Sequence, residues 1–193
     1  ITTMCVLGDV ADVRMGYPFR SRLEHDPLGR VRAIQMRDID DSSVLRLESA
    51  VKVTLPGSKG HHQLQAGDLL FRSRGRSYTV AQVADDIGDA VLAAPMLMIR
   101  PRMAVLPSYL HWYINLSQTQ AVLGSMAAGT AVQMISKDAL MSLELPVPGI
   151  EEQRRIVDLA ALAQREQALM ADIANRRRLL VEGVLTRYAK KNR

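Results

Sequence analysis

"LPVPGIEEQRRIVDLAALAQ", residues 145–164, is where the chain changes character. An apolar, strand-like run punctuated by Pro146 and Pro148 gives way, almost without a loop, to a charged helix-forming stretch. From Glu151 to about Tyr188 there is no proline and one glycine, Gly183, while Ala, Leu, Arg, Glu and Gln dominate. These are good helix formers. Glu151 and Glu152 stand at the start, and basic residues crowd the far end, both in the direction the helix dipole favours. At 1.5 Å per residue the helix would span roughly 55 Å, more than packing on a domain of this size requires.

Its apolar residues follow a heptad-like track, Leu159, Leu162, Leu169, Ile173, Leu180 and Val184, interrupted by Glu166 and Arg176. A second flank, Ile156, Ala160, Ala163, Met170 and Val181, widens the stripe. Such a stripe is buried either against the helix's own domain or against another long helix. The length and the two charged interruptions favour a second helix, and the interruptions are suited to selecting register or partner.

The residues before the junction read as mixed α and β. Short β-leaning runs at 31–36, 68–73, 78–83 and 96–101 lie between turn clusters such as "DPLG", "PGSKG" and "RGRS". A helix is expected in "PSYLHWYINLSQ" with Ser108 as its cap, and another over 118–126 that ends by Gly129. A third is expected from Ser136 to about Ser142, before the strand "LELPVP". The fold class is therefore α+β: a mixed α/β globular domain over 1–148 and a long C-terminal helix over 149–193.

Composition narrows the function. With 48% hydrophobic residues among 193, the chain can bury a substantial core. The 4% aromatic content disfavours stacking platforms for single-stranded bases. One cysteine, Cys5, excludes a disulfide framework and a multi-thiolate metal site. No signal peptide or long apolar run is visible, so a cytoplasmic protein without a membrane partner is expected. The absence of an initiator Met suggests trimming at the start. Net charge is +5, unevenly spread. Residues 1–150 hold 15 Lys/Arg against 14 Asp/Glu, whereas 151–193 hold 10 against 6. Within the first part, Arg14, Arg20, Arg22, Arg30, Arg32 and Arg37 form a basic strip suited to a polyanion.

Catalytic signatures are missing. There is no Asn/Asp-Pro-Pro-Tyr/Phe segment of an amino-methyltransferase, no Gly-x-Gly cofactor loop and no P-loop, since "GSKGHH" lacks the required spacing. The pairs Asp40–Asp41 and Asp85–Asp86 have no nearby Glu-x-Lys, which leaves a nuclease metal site unsupported. His61 and His62 lack spaced companions for a metal. No cofactor, no metal and no catalysis by this chain are expected.

Four pieces in order, "LGDVADVRMG" (7–16), "GDLLFRSRG" (67–75), "GTAVQMIS" (129–136) and "LELPVPGIEEQRRIV" (143–157), resemble the DNA specificity subunits of type I restriction–modification systems. The resemblance covers nearly the whole chain and implies a target recognition domain followed by a spacer helix. It further implies helices paired as an antiparallel coiled coil, double-stranded DNA as one partner and DNA methyltransferase (modification) subunits as another, with a restriction or translocase subunit as a further companion. Such subunits carry two recognition domains and two helices, whereas this sequence has one of each. A half-subunit form that acts as a homodimer on a bipartite, symmetric target is the resulting expectation. The alternative is a structural protein that assembles through its helix without sequence-specific DNA binding, and a more distant one is an autonomous nuclease.

Two stretches are candidates for DNA contact. In "FRSRGRS", Arg72, Arg74 and Arg76 would share one face of an extended chain around Ser73, and Gly75 would permit a tight turn. Arginine is the side chain best suited to bidentate guanine contact. In the resembling family this segment is partly structural, with Gly67 and Asp68 in the turn before the strand. The other stretch, "RMGYPFRSRLEHDPLGRVR", offers Arg20, Arg22, Arg30 and Arg32 beside Tyr17 and Phe19 in a loop-rich setting. Lys59, His61 and His62, on an expected hairpin tip, are suited to phosphate. Gln133 and Lys137 are weaker candidates, and Trp112 and Tyr113 are expected to pack.

Overall fold

A computed structural model describes residues 2–20, 22–55, 60–75, 77–129 and 133–191, apart from the side chain of His61. The chain divides into two compact units, Ile1–Arg154 and Arg155–Arg193. In chain order the elements are β1 (Thr3–Val6), α1 (Leu7–Val10), β2 (Ala11–Met15), β3 (Val31–Ile34), β4 (Val51–Val53), β5 (Leu69–Phe71), β6 (Val80–Gln82), β7 (Ala90–Leu92), β8 (Leu97–Pro101), α2 (Pro107–Asn115), α3 (Ser117–Met126), α4 (Lys137–Met141), β9 (Glu144–Val147) and α5 (Ile150–Lys191). Short 3₁₀ turns fall at Met36–Asp38, Leu47–Ser49 and Gly60–His62. The result is an α+β domain followed by a long helix.

Three sheets build the first unit. β2-β8-β5-β6 is antiparallel, β4-β3-β7 joins an antiparallel to a parallel pair, and β1 pairs with β9. The four-stranded sheet is apolar on both faces: Leu69, Leu70 and Phe71 of β5 are all fully buried. Leu70, Ala81 and Met98 lie opposite one another in the strand register and pack with Ile34 and Leu92 of the three-stranded sheet. This double-sided burial explains why 68–73 and 96–101 read as continuous apolar runs without alternation.

The outer edge of the sheet at β6 is clasped by side-chain amides. Asn115 accepts from the Val80 N–H and donates to the Val80 carbonyl, both at 3.0 Å. Gln120 does the same for Tyr78, again at 3.0 Å. Residues two apart present their backbone groups on the same strand side, so two amides satisfy an edge that would otherwise recruit another strand.

Local chemistry shifts several expected boundaries. The strand expected over 31–36 stops at Ile34, because Asp38 Oδ2 accepts the Gln35 N–H at 2.8 Å and starts a 3₁₀ turn. The helix expected to be capped by Ser108 begins instead at Pro107, with Leu106 in the cap position and no side-chain cap. Proline suits this first helical position because its missing N–H would have no helical partner there. Ser136 does cap α4, accepting the Ala139 N–H at 3.1 Å. Two glycines serve close approach: a Cβ on Gly16 or Gly29 would come within 2.6 Å of the backbone of Ala93 or Val53.

The first turn of α5 is tied into the first unit by Gln153, which is fully buried. Its Oε1 accepts the Leu106 N–H at 2.8 Å, and its Nε2 donates to the carbonyls of Ala104 (3.0 Å) and Pro148 (2.8 Å). Helix α5 has 42 residues, hence a length of about 63 Å. Every described residue from 161 onward is exposed. The apolar track is uncovered: Leu159, Leu162, Leu169, Ile173 and Leu180 are each more than half exposed, and Val184 is 37% exposed. Among the described residues no helix is long and apolar enough to cross a membrane.

Candidate nucleic-acid interface

The loop after β2 and the end of β4 enclose a cleft of about 760 Å³. Tyr17, Phe19, Arg20, Arg22, Glu24 and Thr54 are among its lining residues. The Tyr17 and Phe19 rings lie 4.8 Å apart, and the His62 ring meets Tyr17 edge-on at 5.4 Å. His62 and the stretch 14–37, distant in sequence, therefore meet at Tyr17. Arg20 and Arg22 are exposed. Asp26 closes the loop by accepting from the Leu28 N–H at 2.9 Å and the Thr54 hydroxyl at 2.7 Å. The Thr54 hydrogen bond leads the causes that lower its pKa.

A second cleft, about 340 Å³, shares Phe19, Arg22 and Leu23 with the first and is completed by Gln35, Met36 and residues 93–96. Its wall is braced from behind. Arg72 donates through Nη2 to the carbonyls of Met36 (3.1 Å) and Ile39 (2.5 Å), and Ser73 Oγ donates to the Pro95 carbonyl at 2.7 Å. Ser73 is 1% exposed. Gln35 Nε2 is buried and has no hydrogen-bond partner among the described residues.

The remaining candidates divide. Arg30 is exposed at the start of β3. Arg32 is half-buried, donating through Nη1 to the Ile87 carbonyl at 2.8 Å. Arg74 is exposed, and its backbone bridges to Met134 of the 129–136 stretch. The chain turns at Gly75 with φ of +110°. Arg72 and Arg74 thus occupy different settings, one half-buried on carbonyls and the other in solvent, instead of one continuous basic face. Lys59, Arg76 and the side chain of His61 lie outside the described residues. Behind this region Arg100 holds the buried Asp68 through two 2.7 Å bonds, Nε to Oδ1 and Nη2 to Oδ2. Asp68 also accepts the Gln65 N–H at 2.8 Å, and Gly67 adopts φ of +91°, which builds the expected turn before β5.

Gln35 was not legible as a site residue, since a glutamine beside an apolar run carries no spacing signal. The same holds for the bracing by Arg72 and Ser73, whose acceptors lie 22 to 36 residues away. Among the described residues no group of three or more His, Cys, Asp or Glu is placed to hold a metal ion.

Residues 3–175 match the family model described as "Type I restriction modification DNA specificity domain". Among solved structures, the HsdS subunit from Thermoanaerobacter tengcongensis is similar at 24% identity and a TM-score of 0.64, over 86% of this chain and 38% of that one. A chain from a structure titled for complex assembly and conformational transition of the type I R-M system gives 22% identity and a TM-score of 0.64, over 88% and 40%. The type I restriction–modification S subunit from M. genitalium gives 16% and 0.56, over 89% and 41%. The chain thus spans about two fifths of the length of the structures it matches. A comparison with curated proteins gave no match.

Proposed function

The chain belongs to the type I restriction–modification DNA specificity family, and on that premise we propose that it is a non-catalytic, sequence-specific DNA-binding subunit. It reads double-stranded DNA with its α+β domain and positions DNA methyltransferase subunits, and in some assemblies a restriction subunit, through α5. Methyl transfer and cleavage belong to those partners. The family match across residues 3–175 carries the reading.

Within it, the side chains take different parts. The exposed Arg20, Arg22, Arg30 and Arg74 make the DNA contacts, with the two clefts receiving the duplex edge. Arg32, Arg72 and Ser73 hold carbonyls and position the reading loops instead of touching bases. Lys59, His61, His62 and Arg76 flank these groups in sequence and are assigned phosphate contacts. Phosphate contacts fix the register of a protein on DNA, while base-edge contacts carry sequence information. One domain reads one half-site; two copies, joined through the uncovered stripe on α5 as an antiparallel coiled coil, read a bipartite target with symmetric halves.

The test is selection of bound duplexes from a random library by the chain with its methyltransferase partner, followed by salt titration of the selected duplex. The expected result is one symmetric bipartite sequence. Arg20→Ala or Arg22→Ala would then either reduce the log–log salt slope by about 0.9 for a lost phosphate contact or relax preference at one base. Partner assembly without any sequence preference would refute the reading and favour a purely structural role.

A further inference from the structure

The stripe on α5 contains its own instructions for alignment. Core positions at alternating steps of three and four are Leu159, Leu162, Glu166, Leu169, Ile173, Arg176, Leu180 and Gly183. The two charges in this track are of opposite sign and lie at equal distances on either side of Ala171. We infer that two copies of α5 pair antiparallel in the register centred on position 171, which sets Glu166 of each copy against Arg176 of the other. This rests on the homodimer proposed above and specifies how that homodimer is built.

Two independent features of the helix meet in this register. First, the layers match. With the two-fold axis beside Ala171, Leu169 faces Ile173, Leu162 faces Leu180, and Leu159 fits over Gly183, in addition to the two Glu166–Arg176 pairs. In antiparallel coiled coils, each such layer joins the two kinds of core position. A shift of one heptad sets Arg176 against Leu159 or Ile173, and Glu166 against Leu169 or Gly183. Either shift buries charge without a counter-charge, which is strongly unfavourable.

Second, the long-range charge agrees. Residues 151–172 carry five acids (Glu151, Glu152, Asp158, Glu166 and Asp172) against three arginines, whereas residues 173–191 carry six basic groups against Glu182 alone. Antiparallel pairing sets the acidic half on the basic half. Parallel pairing in register would instead face Glu166 with Glu166 and Arg176 with Arg176. The axis also brings Met170 of the two copies together on one flank, and Ile156 near Val184, which extends the apolar surface.

Arg176 is already oriented on its own helix. Its Nε donates to Asp172 Oδ2 at 2.8 Å, one turn back. That bond offsets the acidic charge which the two Asp172 side chains bring near the axis. The Nη donors of the same guanidinium then serve the partner's Glu166, since the planar fork addresses two carboxylates at once. Beyond Leu159 and Gly183 the next layer would join Arg155 to Arg187, so tight zippering ends there.

The experiment uses the full chain and charge reversal. Dimer dissociation is measured by analytical ultracentrifugation for the wild type, Glu166→Arg, Arg176→Glu and the double reversal. Each single reversal creates two like-charged pairs in the homodimer and is expected to weaken it about 100-fold, since each tenfold in Kd is about 1.4 kcal/mol. Mixing the two single variants restores both opposite-charge pairs, so a one-to-one heterodimer of near wild-type affinity is expected. The double reversal is expected to dimerise as well. A wild-type dimer that tolerates both single reversals, or weakened variants that fail to rescue one another, would overturn the register while leaving the dimer standing. A wild type that stays monomeric would overturn the homodimer itself, and the register with it.

Discussion

Gln153 is the joint between the recognition domain and the start of α5, and replacing it by leucine tests how that joint is held. The substitution keeps side-chain volume roughly constant but removes three hydrogen bonds, from the Leu106 N–H and to the carbonyls of Ala104 and Pro148. Gln153 and Pro148 are buried whereas Ala104 is exposed, so the loss amounts to three ordinary hydrogen bonds with the Pro148 carbonyl left stranded. Net loss of a hydrogen bond costs about 1 kcal/mol, and a stranded buried group costs about 1–3 kcal/mol. A loss of about 3–4 kcal/mol is therefore expected. For a chain of this size each 1 kcal/mol moves Tm by about 2–4 °C, so the melting temperature should fall by roughly 6–16 °C. The assay is thermal and urea denaturation followed by near-ultraviolet absorption of Trp112 and the tyrosines, with Gln164→Leu on the exposed part of α5 as control. The control should move stability by under about 0.5 kcal/mol. A Gln153→Leu chain as stable as the control would refute the view that these bonds hold the junction.

Leu169→Pro breaks the interior of α5 and should abolish dimer formation in light scattering while the domain retains its melting transition. An unchanged dimer mass would count against pairing through this helix. Ser73→Ala strands the Pro95 carbonyl and should cost about 1–2 kcal/mol in urea denaturation. If Ser73 instead reads bases, the variant would keep its stability and lose sequence preference. His111, half-buried on α2, has its pKa lowered from 6.5 by desolvation. The unfolded chain therefore binds this proton more readily, and stability should fall as pH drops through about 6.5. His111→Gln should flatten that part of the urea-midpoint profile between pH 7.5 and 5.5, and an equal slope in both proteins would exclude His111 as its source.

Much of the architecture could be read before any coordinates. Helix α5 announced itself through composition, and the buried strands β5 and β8 through short apolar runs between turns. Other strands were less legible. In β2, Asp12 and Arg14 alternate with Ala11, Val13 and Met15, but the run is only five residues long and follows a helix of four. β7 is three residues in an alanine-rich segment, and its distant partners, β3 and Gln63, make it a strand. Ser108 was expected as a cap because serine favours that position, yet Pro107 pre-sets the first helical φ and won. The candidate interface divides along the same line. Exposed arginines are visible as charge in a sequence, but whether an arginine meets solvent or a carbonyl 36 residues away, as Arg72 does, is decided by tertiary packing.

The pairing of β1 with β9 has a consequence for inheritance. Thr3 lies opposite Val147, and Val6 opposite Glu144, so the chain enters and leaves the domain on neighbouring strands about 5 Å apart. A segment whose two ends meet side by side can be cut out and replaced by another of the same kind without straining the chain on either side of it. Genetic exchange with crossovers near codons 3 and 147 would therefore replace the whole α+β domain in a single event and leave α5 unaltered.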